Sequence, residues 1–481
     1  MNTINIYMAK YKNFSIQAKA SIWYSCCSIL QKGISFIVIP IYTRMLTVAE
    51  YGQYTVFQSW RDIIIIFATL NLYCGIFTKA MVDYKDDRDA YTACMQGLGT
   101  IITGVFLIVY LVSSEFWNRL FDLDFTTMIL LFAYYITYPA FSFWSVRQRV
   151  EYRYQCMVFV TLIVSIFTPI ISIALLKLTD LRANAVIWGF LFVQIMVGLF
   201  FYISNFFRGK LFFHRKYWIH ALAFNIPLIP HYLSLIILGQ SDRIMIKAMC
   251  GSNKAGIYSL AYSVSQLMII FISAINGSFV PWIYEKLKVQ DYKSIAKVSN
   301  VLCILCGFMS LGAILISPEI IYILGTEEYM EAIWIVPVVS LSVYYTFCYG
   351  LFSNVEFYFD ATKYVMLAST SGAILNIILN YIFIPIFGYI VAAYTTLICY
   401  LVFMVMHYLF MRIICKRKLQ GIHIFDDKFI AISSVSLFIL MIGCMLLYKI
   451  TLLRYLVIIV MAVIGIVKID KILNLIRGFK K

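Results

Sequence analysis

The sequence predicts an all-α integral membrane fold of about 14 transmembrane helices, arranged as two parallel-repeat six-helix lobes followed by two C-terminal helices. Three observations predict it. Of the 481 residues, 62% are hydrophobic and only 13% are Asp, Glu, Lys or Arg, about half the charged fraction of a soluble globular protein. Apolar runs of about 20 residues recur from end to end, each long enough to cross roughly 30 Å of hydrocarbon at about 1.5 Å per residue. The basic residues fall on alternate breaks between these runs, as loops retained in the cytoplasm require.

Reading apolar runs against charged breaks places spans at 19–44, 51–78, 91–114, 125–146, 155–177, 184–206, 218–240, 255–283, 296–317, 331–354, 363–385, 388–411, 428–448 and 453–470. The leader before the first span carries Lys10, Lys12, Asn13 and Gln17. It is too polar for the apolar region of a cleavable signal peptide, so the first span is expected to double as an uncleaved insertion signal. With both termini cytoplasmic, the tails and even-numbered turns hold 28 of the 39 basic residues and the odd-numbered turns nine, while Lys32 and Arg61 complete the total. The outer turns are weakly acidic instead, as Glu319, Glu327, Glu328 and Glu331 show. The net charge of +16 is therefore a topology signal, not a nucleic-acid footprint. No turn exceeds about 17 residues, too few for a folded extramembrane domain. The 12 cysteines are scattered and mostly within spans, where a thiol behaves as a small apolar group. Cys303 and Cys306 form a C-x-x-C inside an apolar helix without nearby His or carboxylate, so neither a metal nor a cofactor is expected.

An internal repeat has a period of about 204 residues: EYGQYTVFQSW at Glu50 to Trp60 aligns with KAGIYSLAYSV at Lys254 to Val264. Six spans separate the copies, so the repeat is parallel and the lobes are related by an axis along the membrane normal. The lobes are expected at 1–210 and 211–415, with the extra spans and basic tail at 416–481. Paired lobes of this kind commonly belong to transporters.

Polar residues inside spans mark the candidate site, because an ionised group at the bilayer centre costs several kcal/mol, roughly, unless a cavity or partner receives it. Lys32 lies mid-way along the first span, and Ser21, Ser25, Ser28, Lys32 and Ser35 share one helix face by their 4-3-4-3 spacing. The second span carries Thr55, Gln58, Arg61, Asp62 and Thr69; its repeat partner carries Ser259, Tyr262, Gln266, Ser273 and Asn276. Offset by 204, Thr55 meets Ser259, Gln58 meets Tyr262 and Asp62 meets Gln266. Equivalent polar faces are expected if both line a shared cavity; hydrogen bonding between helices by small polar residues explains the Ser and Thr positions equally well. Lys32 is read as a cation available to an anionic ligand, with snorkelling or pairing to Asp62 as alternatives, and Asp62 as a partner for Arg61. In the seventh span, Pro227 and Pro230 remove two backbone donors beside His231 and predict a kink. His231 is either protonatable or a hydrogen-bonded structural residue. Asp242 and Arg243, at the outer end of that span, form either a gate or a helix cap.

GQSDRIMI followed by AGIYSLAY, the N-terminal RMLTVAEYGQY, NGSFVPWIYEKL at Asn276 to Leu287 and LNIILNYIFIPIFGYIVAAYTTLICYL at Leu375 to Leu401 together resemble the polysaccharide-repeat flippases of the O-antigen and capsule type. That family belongs to the multidrug/oligosaccharidyl-lipid/polysaccharide exporter superfamily. The resemblance covers nearly the whole chain. It implies a transporter of the bacterial cytoplasmic (inner) membrane that moves undecaprenyl-pyrophosphate-linked oligosaccharide repeats from the inner to the outer leaflet by alternating access. It also implies fourteen helices, a cationic central cavity to which Lys32 and Arg61 are carried over, and partners in membrane lipids and glycan-polymerising and chain-length machinery. The rival readings are a cation-coupled multidrug antiporter, which calls for acidic cavity residues where Asp62 alone is read as deep, and a lipid II flippase. A membrane-embedded glycan polymerase is the rival from another class; it needs acid, base or nucleophile groups near a sizeable outer segment, and the short outer turns oppose it.

Overall fold

The protein is described from a computed structural model over residues 15–478, with side chains through 468. The leader residues Lys10, Lys12 and Asn13 and the tail residues Lys480 and Lys481 lie outside the described residues. Every regular element among the described residues is helical. The first helices are α1 (Ile16–Met45), α2 (Val48–Thr69), α3 (Ile76–Asp83), α4 (Arg88–Val112), α5 (Ser114–Phe121), α6 (Phe125–Val150), α7 (Tyr154–Leu178), α8 (Ala183–Gly209) and α9 (Arg215–Asn225). Then follow α10 (Ile229–Cys250), α11 (Ser252–Lys288), α12 (Tyr292–Leu315), α13 (Ser317–Leu324), α14 (Val336–Tyr358), α15 (Thr362–Phe387), α16 (Val391–Lys418), α17 (Asp427–Leu446) and α18 (Thr451–Gly478). Thirteen segments among the described residues are long and apolar enough to cross a membrane, with α9 and α10 counted as one. The 22-residue α2 is long enough as well, but it carries Glu50, Arg61 and Asp62 and is not among the thirteen. The chain is a multi-pass integral membrane protein.

Two spans differ in form, and not only in their ends, from the sequence expectation. The second stops at Thr69 instead of 78, because Leu70 and Asn71 adopt left-handed φ of 47° and 49°. The Thr69 hydroxyl donates to the Ile65 carbonyl at 2.7 Å, and the Asn71 N–H donates to that hydroxyl at 3.2 Å. Side chain thus replaces backbone at the helix end, and Gly75, at φ 50°, lets the chain turn into α3. The seventh span is broken as its prolines predict: a 3₁₀ turn at Ile226–Leu228 separates α9 from α10, with Pro227 inside it and Pro230 in the first turn of α10. Short helices, α5 and α13, and a 3₁₀ segment at Glu327–Trp334 lie in the turns between spans.

The chain forms two compact units: Met1–Val38 with Val56–Leu233, and Ile39–Thr55 with Ser234–Lys481. In the first, a core of Leu72, Phe77, Tyr91, Met95 and Phe143 closes over α3, α4 and α6. On α1, Ala20, Tyr24, Cys27 and Gln31 recur at helical spacing and form its packing face. Ala20 and Cys27 are buried, Tyr24 donates to the Gln148 carbonyl at 3.4 Å, and Gln31 donates to Ser165 at 3.1 Å. In the second unit, Leu238, Ala368, Cys399 and Phe403 form a core between α10, α15 and α16.

The second unit also displays the repeat as a physical contact. The Thr55 and Ser259 hydroxyls, 204 residues apart, hydrogen-bond at 2.9 Å. A Cβ added at Gly52 would strike the Ser252 carbonyl oxygen, and one added at Gly256 would strike that of Val48. Each position in this reciprocal pair is its counterpart plus 204. The first turns of α2 and α11 therefore cross about a local twofold relation, and the two glycines allow the close backbone approach.

Candidate functional site

The expected cationic residues both lie in the first unit, on α1 and α2. Lys32 is exposed, and among the described residues it takes part in no ion pair or hydrogen bond. Its stripe, Ser21, Ser25, Ser28 and Ser35, is exposed too, lying one position along from the packing face of α1. Ile22, Trp23, Ile29 and Leu30 are also exposed, so this half of α1 buries only a narrow face. Ser35 donates back to the Gln31 carbonyl at 3.0 Å, a bond internal to the helix.

Arg61 is held more tightly. Its Nε and Nη2 donate to one Asp62 carboxylate oxygen at 2.9 and 2.7 Å, and its guanidinium lies 4.8 Å from the centroid of the Phe190 ring. The side chains of Arg61 and Asp62 retain 16% and 32% exposure, so the pair sits at a wet or lipid-facing edge and not in a sealed core. Gln58, one turn away on α2, is half-buried. The structure adds a wall that sequence reasoning missed. The Tyr135 hydroxyl donates to the Arg61 carbonyl at 3.0 Å, and Tyr134, Tyr138 and Tyr73 follow in ring contact, 4.9 Å and then 6.0 Å between centroids. Tyr134 and Tyr135 are buried, so the wall packs behind the guanidinium, and only Tyr73 and Tyr138 keep part of an amphipathic face exposed. The signal lay in AYYITYPAF, where tyrosines spaced by three and four share a helix face.

In the second unit, Tyr262 is buried beneath Arg243, whose guanidinium lies 4.8 Å from the ring centroid and hydrogen-bonds Gln240. Gln266 is exposed and Asn276 half-buried. Asp242 is not at a span's outer end: it lies within α10, 2% exposed. Its Oδ1 accepts from Asn376 at 3.2 Å and Asn380 at 2.7 Å, and its Oδ2 from Tyr258 at 2.5 Å and Thr396 at 2.6 Å. Four neutral donors spread the carboxylate charge across α11, α15 and α16. Glu356 on α14 is a further buried acid, facing His407 on α16. Asp62 is thus not the sole deep acid. The error came from span ends: Asp242 and Glu356 fall two residues beyond the expected ends at 240 and 354. Asn376 and Asn380, four apart in an apolar helix, were the available clue.

At the break between α9 and α10, Asn225 is fully buried and neither side-chain amide atom has a hydrogen-bond partner. His231 and Tyr232 are half-buried with ring centroids 5.9 Å apart. Among the described residues no group of three or more His, Cys, Asp or Glu stands ready to hold a metal, and Cys303 and Cys306 are buried free thiols.

This succession of helices is the fold of solved membrane transporters. It superposes on a lipid II flippase, MurJ, in an inward closed conformation with a TM-score of 0.70, at 15% identity over 94% of this chain and 100% of that one. It also superposes on an inward-facing multidrug resistance MATE family transporter of the MOP superfamily, with a TM-score of 0.58, at 13% identity over 80% and 95%. For a MOP superfamily transporter from Pyrococcus furiosus the values are 0.56, 13%, 82% and 95%. The class is that of MOP-type transporters by fold. Within it, the chain belongs to the polysaccharide biosynthesis protein family, whose model matches residues 18–287. A protein of the Lsg locus of Haemophilus influenzae is 24% identical over 284 residues, covering 56% of this chain and 66% of the relative, just under two thirds of its length. A membrane protein of the same organism is 23% identical over 355 residues, covering 70% of this chain and 83% of the relative.

Proposed function

We propose that this chain flips undecaprenyl-pyrophosphate-linked oligosaccharide repeat units from the inner to the outer leaflet of the bacterial cytoplasmic membrane, for O-antigen, capsule or exopolysaccharide assembly. The observation that carries the reading is Lys32, an exposed cation mid-way along a membrane-spanning helix, with no ion pair among the described residues. A cation so placed calls for an anion from outside the protein, because an unpaired charge at bilayer depth is costly. Family membership supplies the glycan context.

The physical task is to pass a pyrophosphate and hydrophilic sugars through hydrocarbon while the polyprenyl tail stays in lipid. Unaided, the polar part would shed its hydration at prohibitive cost. In the proposed cycle Lys32 receives the pyrophosphate as a point charge. Arg61, paired with Asp62, adds guanidinium charge from the neighbouring helix of the same unit. Tyr138 and the Ser28 and Ser35 hydroxyls accompany the sugars, and alternating access releases the cargo outward. An inside-negative potential favours outward movement of the headgroup by about 2.3 kcal/mol per charge per 100 mV. The charge argument against a multidrug antiporter is weaker than the sequence suggested, since Asp242 and Glu356 are buried acids; the family match now carries the preference.

The test is a Lys32→Ala/Arg61→Ala variant expressed in cells lacking the chromosomal copy. The reading expects lipid-linked repeat to accumulate on the cytoplasmic side, with surface glycan reduced at least tenfold at normal protein levels. Full surface display would sink the cationic-site claim.

A further inference from the structure

Glu356 and His407 are 0% and 1% exposed, and the imidazole Nδ1 lies 3.0 and 2.9 Å from the two carboxylate oxygens. His407 Nε2 is buried without a hydrogen-bond partner. Tyr349 stacks on the imidazole at 5.4 Å and 20°, and Phe403 meets it edge-on at 4.5 Å. Among the described residues, His407 is the one basic group in ion-pair contact with the Glu356 carboxyl. The acids and bases of the surrounding helices are engaged elsewhere or make no ion pair with either residue. Asp242 of α10 has its four donors; Lys286 of α11 pairs with Asp291 at 3.3 Å; Asp427 of α17 binds Tyr408 and His423; Arg412 of α16 binds the Gly421 and Ile422 carbonyls. Lys293 and Lys297 of α12 and Lys363 of α15 make no ion pair with Glu356 or His407.

Proton counting constrains the pair. A carboxylate facing a neutral imidazole shares one proton and leaves a buried negative charge with no cation to offset it. A second proton makes the pair neutral, as imidazolium with carboxylate or as imidazole accepting from carboxylic acid. In both arrangements Nδ1 is committed to Glu356 and Nε2 carries a hydrogen, so the orphaned Nε2 is a donor. The flanking aromatic rings favour the imidazolium form.

We propose that Glu356 and His407 form a proton-binding site in the second unit, occupied in this conformation by two protons. Loading takes one proton from hydronium, makes one N–H or O–H bond and leaves water. Glu356 is two residues from the end of α14, where Phe357 and Asp360 are exposed. The inference does not rest on the flippase reading, because the ligand is the proton itself and no cargo is needed to measure it.

The test is nitrogen NMR of the full chain in detergent with ¹⁵N-labelled histidine. His407 is assigned among the five histidines as the signal lost in His407→Gln. The site predicts a protonated Nε2 at pH about 7, and release of one proton fewer per molecule by Glu356→Gln than by wild type as pH rises from about 7 to about 10. A bare Nε2 beside a protonated Nδ1 at neutral pH, or an unchanged proton release in Glu356→Gln, overturns the proposal. Should His407→Gln fail to fold, the signal that moves in Glu356→Gln makes the same assignment.

Discussion

Asp242 satisfies four donors at once; its removal strands the Tyr258 and Thr396 hydroxyls, while Asn376 and Asn380 keep bonds to Thr396 and to each other. Each unpaired buried group costs about 1–3 kcal/mol, although single hydrogen bonds in membrane proteins average only about 0.6 kcal/mol. Asp242→Leu is expected to lower stability by about 2–4 kcal/mol in thermal unfolding in detergent, and Asp242→Asn by less, since the amide keeps one acceptor. A second residue, Glu331, gives a pH prediction. The Lys254 ammonium, 2.7 Å away, and the Tyr389 hydroxyl, at 2.5 Å, hold its carboxyl below the usual Glu range. A depressed value in the folded state means that the contact is present at neutral pH. It persists below the ordinary Glu value of about 4.3 and is lost as pH falls through the depressed one. Because the carboxylate is half exposed, its worth is at most about 1 kcal/mol. The stability difference between wild type and Glu331→Gln should therefore stay flat from pH about 8 to about 5 and vanish under stronger acid.

Among the elements, the α2–α11 crossing shows what the sequence could reveal. The 204-residue offset equated Thr55 with Ser259 from side-chain pattern alone, and the folded chain brings those two hydroxyls together. A periodic signal survives folding because equivalent residues occupy equivalent positions on equivalent helices. The break after Thr69 was hidden, because Leu70 and Asn71 are compatible with a continuing helix and leave it through left-handed backbone and a Thr69 side-chain bond. The kink at 226–228 was legible because proline lacks the donor a helix needs. The tyrosine wall beside Arg61 escaped notice because aromatic residues in an apolar span look like ordinary core. Gly52→Ala is expected to force α2 and α11 apart and cost about 1–3 kcal/mol. A Thr55→Val, Ser259→Ala double-mutant cycle should give a coupling of only about 0.6 kcal/mol. Thermal unfolding of the four variants checks both, and a Gly52→Ala protein as stable as wild type would remove the close-approach argument.

For the whole molecule, composition and charge asymmetry were enough to place the chain in a membrane, since both follow from solvation physics that acts on every span alike. What they left open is which few polar groups meet the cargo, because that depends on helix ends shifting by as little as two residues. The central claim is that Lys32 and Arg61 serve an anionic lipid-linked glycan in transit. The most direct measurement is flipping by purified protein in liposomes, using an undecaprenyl-pyrophosphate-linked oligosaccharide whose outer-leaflet fraction is read by an impermeant sugar-oxidising or glycan-cleaving reagent. The account predicts that wild type moves the lipid from the shielded to the accessible leaflet, and that Lys32→Ala/Arg61→Ala slows this at least tenfold at equal reconstitution. Transfer by the double variant at the wild-type rate, or none by the wild type with lipids of several glycan compositions, would contradict it.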